Sequence, residues 1–322
     1  MKKLDAKYWS PFWRNPTITS FGHLFPENYD GAMLEFWRQQ ITAGTRELLD
    51  LACGNGALTW IANDITAALG ADTRITGLDI AEIDPFTALG RDPARYPRVR
   101  FMGSTHIEAL PLPDAAADLA ISHYGIEYSD LEKSIPEVAR VLGPAGRLAF
   151  ILHDRESVIV KGATQHLEDF RRARDEIRLH ELALTFDQLL RSDKNLGRLA
   201  QTEAFGKLET RIAAALYHVR LLLRGHPPGS PLLPYVERLA QALQLRAAKD
   251  ADARRRLIEQ AARQLDAHIE RVEDLWLAAL SAEGRERLVA LVQQQGFVVT
   301  EHEVLRYKDG DNFGTLFAAR RP

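Results

Sequence analysis

One cysteine, Cys53, stands among 322 residues. That excludes a disulfide framework and any iron–sulfur cluster held by three or four cysteines, and with the cluster goes radical chemistry built on it. No run approaches the roughly 18 apolar residues that a membrane-spanning helix needs. The formal charge of −3 leaves no electrostatic footprint for nucleic acid. The opening stretch MKKLDAKYWSPFW has no apolar h-region, so no signal peptide is predicted and a cytoplasmic location is expected. The histidines show no metal-ligand spacing, so no metal-dependent mechanism is expected. What remains is an ordinary globular composition, 46% hydrophobic and 26% charged, long enough for one large domain or two.

The chain is organised around Glu47–Thr59, ELLDLACGNGALT. Leu48-Leu49-Asp50-Leu51 is a short apolar run with a single acid, the pattern of a strand buried on both faces of a parallel sheet. Ala52-Cys53-Gly54-Asn55-Gly56 follows as a tight turn whose two glycines let backbone approach a ligand closely. Leu58, Trp60, Ile61 and Ile65 then recur at helical spacing up to Gly70. Strand, glycine turn and helix form the nucleotide-binding opening of a doubly wound α/β fold. The dinucleotide fingerprint needs a third glycine where this chain has Thr59, and Asp50 is a poor neighbour for a phosphate. A purely structural turn is the competing interpretation. A second strand, Ile75–Ile80, carries Asp79, 23 residues past Gly56. That is close to the spacing at which a carboxylate meets a ribose, accepting two hydrogen bonds from a vicinal diol.

The turn, acid-x-small-x-Gly-x-Gly with Ala52 in place of the first glycine, resembles motif I of the class I S-adenosylmethionine-dependent methyltransferases. The resemblance extends to Asp130–Arg147, DLEKSIPEVARVLGPAGR, and the two stretches cover most of residues 45–153. It implies S-adenosyl-L-methionine as cofactor. Asp50, Ala52, Cys53, Gly54, Asn55 and Gly56 would then surround the methionine part, with Asp50 at its amino group and Asp79 and Ile80 at the ribose. Ser104, Thr105, His106 and Ile107 would flank the adenine, His106 standing where the family usually has an acid, and Ser122 completes the cofactor set. In open α/β sheets ligands bind beyond the carboxyl ends of the strands. His123, Tyr124 and Glu127 follow the fourth strand, Asp118–Ser122, and are therefore the candidate catalytic residues.

The fold expected is a seven-stranded α/β methyltransferase sheet. Its strands include Val99–Met102 and Leu148–Leu152, and Gly296–Thr300 with Phe313–Ala319 close it as an antiparallel C-terminal hairpin. Asp30 reads as the N-cap of a helix with Met33, Leu34, Trp37 and Ile41 on one face, stopping at Gly44. The domain plan has an aromatic N-terminal lid and first helix (1–44), a cofactor-binding core (45–154), a large α-helical insertion between strands five and six (155–295) and closing strands (296–322). The aromatics of 1–30 either pack across the core or close over the site, and His23 among them is assigned a structural role. In the insertion, Ile212, Leu216, Val219 and Leu223 form one stripe, and a further helix is predicted from about Asp250 to Leu280. Between Glu203 and Arg256 ten basic residues face five acidic ones, either a solvated face or an attraction for an anionic substrate. Some members of the resembled family place a smaller helical insert at this position as a substrate cap; a homodimer contact is the rival use.

Methyl transfer from a sulfonium is an in-line displacement that positioning and water exclusion can largely catalyse. A base is needed only for a hydroxyl or protonated amine, and His123 suits that role because imidazole titrates near neutrality; otherwise it hydrogen-bonds cofactor or backbone. The expected function is methylation of a small-molecule oxygen or nitrogen, carboxylate or hydroxyl favoured, with no nucleic-acid partner. Two alternatives stand beside it: a non-catalytic cofactor-binding scaffold whose insertion binds a partner protein, and a protein methylase. Ser122-His123-Tyr124-Gly125 lacks the Asn/Asp-Pro-Pro-Tyr motif of protein and nucleic-acid methylases.

Overall fold

The computed structural model describes residues 6–322 apart from 23, 194 and 228, and not the side chain of 248. His23 therefore lies outside the described residues. The chain divides into two compact units, residues 1–162 with 274–322, and residues 163–273.

The first unit is built on seven strands: β1 Glu47–Leu51, β2 Arg74–Leu78, β3 Val99–Met102, β4 Ala117–His123, β5 Leu142–Leu152, β6 Val298–Tyr307 and β7 Asp311–Arg320. Their order is β3-β2-β1-β4-β5-β7-β6. The first five are parallel, while β7 runs antiparallel to both β5 and β6. Strand alternation divides the apolar side chains between two faces. Leu148, Phe150 and Leu152 join Leu49, Leu51 and Leu78 in one core cluster, with Ile135 and Val138 of α5 (Leu131–Val141) and Leu288 and Val292 of α13 (Ala282–Gln294). Ala149 and Ile151 join Leu48 and Ile75 in the other, with Trp37 of α2 (Gly31–Gln40) and Ile61 of α3 (Ala57–Ala68). Burial on both sides is why the strands read as continuous apolar runs.

Two local expectations are met only in part. Asp30 precedes α2 in extended geometry, but its side chain makes no cap bond; its carboxylate instead accepts from the Tyr307 hydroxyl. The same helix ends at Gln40, ahead of Gly44, because Ile41 turns to extended backbone and buries its side chain. Pro136 lies inside α5, where its missing N–H leaves one turn without its hydrogen bond.

Among the described residues the second unit has only helices as regular elements, with α8 Leu179–Ser192, α10 Glu203–Leu223 and α11 Leu232–Gln244 among the longer ones, and much of α12 Ala251–Ala278. Phe186, Leu208, Ile212, Val219, Leu239, Ala261 and Leu265 form its core. Asp187 is fully buried and pairs at 2.7 Å with Arg254, itself 1% exposed.

Candidate active site

The carboxyl ends of β1, β2 and β4 open onto a cavity of about 920 Å³. Asp50 is in β1, where the register with Gly77 and Ile121 places it mid-sheet. It is 1% exposed, and its Oδ2 accepts from Thr59 Oγ1 at 2.6 Å. Burial first, and then the charge of Asp79, pushes its carboxyl up to about 7. Asp79 immediately follows β2, which ends at Leu78 and not at the expected Ile80. Its Oδ2 accepts from Gly54 N and its Oδ1 from Ala81 N, both at 2.8 Å. Those amides partly offset burial, and the carboxyl sits at about 6. Two desolvated carboxylates on one cavity are costly unless a cation joins them.

The turn between them is shaped for close approach. Gly54 has φ +53°, and a Cβ there would stand 2.5 Å from the Trp13 ring. Trp13 ends α1 (Ala6–Trp13), and it lines the cavity with Trp9. The two indoles stack on each other at 6.1 Å, and Trp9 meets Tyr128 edge-on at 5.7 Å. Asn55 ties the turn to the same segment, its Nδ2 donating to the carbonyls of Asn15 and Thr17. The N-terminal aromatics divide between two places: Phe25 is in the core, whereas Trp9 and Trp13 line the cavity.

Of the residues singled out from sequence, Asp50, Ala52, Cys53, Asp79, Ile80, Ser104, Thr105, His106, Ile107, His123 and Tyr124 line this one cavity. Gly54, Asn55, Gly56, Ser122 and Glu127 do not. Ser122 is fully buried, and its Oγ donates to Leu51 O while accepting from Ile126 N. Its polar capacity is spent on joining β1 to the turn after β4. Glu127 Oε1 accepts from His153 N at 2.7 Å, and burial pushes its carboxyl up to about 7. Burial also raises the Cys53 thiol, which argues against a thiolate nucleophile.

His123 and Tyr124 reach the cavity with constrained polar ends. The His123 Nδ1 accepts from Trp37 Nε1 at 3.2 Å. An indole N–H can only donate, so Nδ1 holds the lone pair and the proton is on Nε2. That Nε2 is buried with no hydrogen-bond partner among the described residues. The ring stacks on Tyr29 at 3.7 Å, and burial holds its pKa well below the usual value. A neutral imidazole with its lone pair engaged is a donor, not a base. Tyr124 donates its hydroxyl to Phe313 O at 2.6 Å and lies flat on His153 at 4.2 Å, so it offers the cavity a ring face. Trp37 and Tyr29 as partners of His123 escaped sequence reasoning: Trp37 reads there simply as part of an apolar helical stripe.

The donor set fits S-adenosylmethionine. Paired buried carboxylates suit a ligand carrying an ammonium and a sulfonium, and each Asp79 oxygen retains a lone pair for a diol. Comparison with known proteins agrees with this assignment. A family profile described as a methyltransferase domain matches residues 49–150. An uncharacterized methyltransferase of Mycobacterium bovis is 33% identical over 120 residues, 36% of this chain and 43% of that protein. A demethylmenaquinone methyltransferase of Thermus thermophilus is 34% identical over 123 residues, 36% of this chain and 53% of that protein. A malonyl-[acyl-carrier protein] O-methyltransferase of Serratia marcescens is 32% identical over 124 residues, 38% and 42% of the two chains. The chain thus spans about half the length of the curated relatives it matches. Residues 49–150 are thus a methyltransferase domain, and with the antiparallel closing strands and the acid-flanked glycine turn it is of the class I type that takes S-adenosylmethionine as cofactor. No helix among the described residues is long and apolar enough to cross a membrane.

Proposed function

We propose that the protein transfers a methyl group to an oxygen of a small carboxylic acid, by in-line displacement in the cavity beyond β1, β2 and β4. The observation that carries this is the shared cavity: Asp50 and Asp79 line the same space as His123 and Tyr124. The cofactor supplies the activated methyl group. Asp50 holds its ammonium, Asp79 its ribose diol, and Trp9 and Trp13 exclude water, so that geometry provides most of the rate.

None of the three candidate catalytic residues offers a free base to the cavity. The His123 lone pair is engaged by Trp37, Tyr124 donates to β7, and Glu127 lies off the cavity. An acceptor already ionised needs no base, which favours a carboxylate. The O-methyltransferase named among the relatives supports an oxygen acceptor. In this reading 1–44 is the lid and first helix, 45–154 the cofactor core, and 296–322 the closing strands; 155–295 supplies a substrate cap or a self-association surface, and the protein works in the cytoplasm. Sedimentation velocity of the intact chain distinguishes the two uses of the insertion, and fractionation of the native host tests the location.

The direct test is a methyl-transfer screen with labelled cofactor against small carboxylic acids, phenols and amines. Base-labile methyl esters are expected. Transfer only to phenols or amines would overturn the carboxylate reading, and cofactor binding without any transfer would favour a non-catalytic scaffold.

A further inference from the structure

We propose that the helical unit carries a site for one divalent transition-metal ion of the zinc class, held by His166, Asp169 and His226. His166 immediately precedes α7 (Leu167–Arg172), and Asp169 lies three residues on, which puts both on one helix face. His226 arrives from the loop after α10, 57 residues beyond Asp169 in sequence. The fold therefore assembles a donor set that no local spacing displays.

The distances suit a shared ion. His226 Nε2 is 3.2 Å from Asp169 Oδ2, and His166 Nδ1 is 3.8 Å from the same oxygen. All three ligand atoms lie within 4.8 Å of one another. Two ligands about 2.1 Å from a tetrahedral zinc stand about 3.4 Å apart, so closing around an ion takes shifts of a few tenths of an ångström in the first pair. Two imidazole nitrogens and a carboxylate oxygen are a zinc-type donor set.

The surroundings also support a ligand role. Ser230 Oγ meets His226 Nδ1 at 2.8 Å and is itself held by Leu232 N, so the ring is oriented with Nε2 towards the carboxylate. The His226 side chain is 1% exposed, while that of Asp169 is 35% exposed, leaving a route for the ion and a water as fourth ligand. A simple hydrogen-bonded triad Ser230–His226–Asp169 is the competing account. It leaves the His166 Nδ1 3.8 Å from the carboxylate, beyond hydrogen-bond range, with the ring stacked on His226. A metal uses all three side chains and ties the loop to α7 as a structural staple. No step of methyl transfer passes through it.

The test uses the full chain, stripped with a chelator and titrated with Zn²⁺ against a chromophoric competitor, and separately with Co²⁺ followed by its visible d–d absorption. One saturable equivalent is expected, with a Co²⁺ spectrum of low coordination number. His166→Gln and Asp169→Asn should each weaken binding at least about tenfold (about 1.4 kcal/mol), and both keep the Ser230–His226 contact that supports the loop. His218→Gln, on the exposed side of α10, should bind as wild type does. Absence of a saturable equivalent, or equal binding by wild type and both ligand variants while they remain folded, would overturn the proposal in favour of the hydrogen-bonded triad.

Discussion

Replacing Asp79 by asparagine removes the ionised acceptor assigned to the ribose while keeping the side chain's shape. A hydrogen bond to a charged group contributes about 1.5–3 kcal/mol. Loss of that component therefore weakens S-adenosylhomocysteine binding by about 10- to 150-fold. Asp79 also holds the Gly54 and Ala81 amides. Asparagine retains one acceptor oxygen and turns an NH₂ towards the other amide, so a stability loss of about 1–3 kcal/mol accompanies the binding defect. Calorimetric titration and thermal melting on the same preparations separate these effects. A second ligand sharpens the assignment. Methylthioadenosine keeps the ribose and lacks the amino acid, so Asp79→Asn weakens both ligands, whereas Asp50→Asn weakens only S-adenosylhomocysteine. A folded Asp79→Asn protein that binds within threefold of wild type would refute the ribose contact, leaving Asp79 as a clamp for the turn.

Burial raises the Asp50 and Asp79 carboxyls to about 7 and about 6, so the ligand-free folded state binds more protons than the unfolded chain. The stability from these groups is present below the ordinary carboxyl range and declines as pH rises through about 4 to 7. Cofactor affinity moves the opposite way, falling as pH drops from about 8 to about 5.5; a flat calorimetric profile would contradict the paired-carboxylate reading. His123 should stay neutral across the same range as the Nε2–H tautomer, and a long-range proton–nitrogen correlation spectrum showing Nδ1–H or imidazolium would remove Trp37 as its fixing partner. Gly54→Ala, at φ +53° and 2.5 Å from Trp13, should shift the indole and lower cofactor affinity by titration, with little change if Trp13 does not close on the turn. Asp187→Ala leaves Arg254 buried beside Leu245 O without its carboxylate, and chemical denaturation should show a loss of about 3–5 kcal/mol; a loss under 1 kcal/mol would mean that water replaces the carboxylate.

Much of the cofactor core was readable because its signals are local. An apolar run, an acid and two glycines within ten residues of chain dictate a buried strand and a left-handed turn whatever surrounds them, and Asp79 ends the next such run. The closing hairpin was readable for the same reason, although β6 runs to Tyr307, well past the Thr300 expected from its apolar start, because its later residues are mostly polar on an edge strand. Side-chain roles were not local. Ser122, His123 and Glu127 lie at or beyond the end of one strand and look equally placed to meet a ligand. Only packing shows Ser122 spent on Leu51 and Ile126, Glu127 on His153, and His123 fixed as a donor by Trp37, 86 positions away. The His166–Asp169–His226 cluster is the same case. By itself the sequence determined the strands, the glycine turn and the acids at their ends, because those follow from backbone sterics and burial over a few residues. Which atoms face the cavity, and with which proton, was decided by tertiary structure, because a hydrogen bond depends on ångström distances between side chains that the chain keeps far apart.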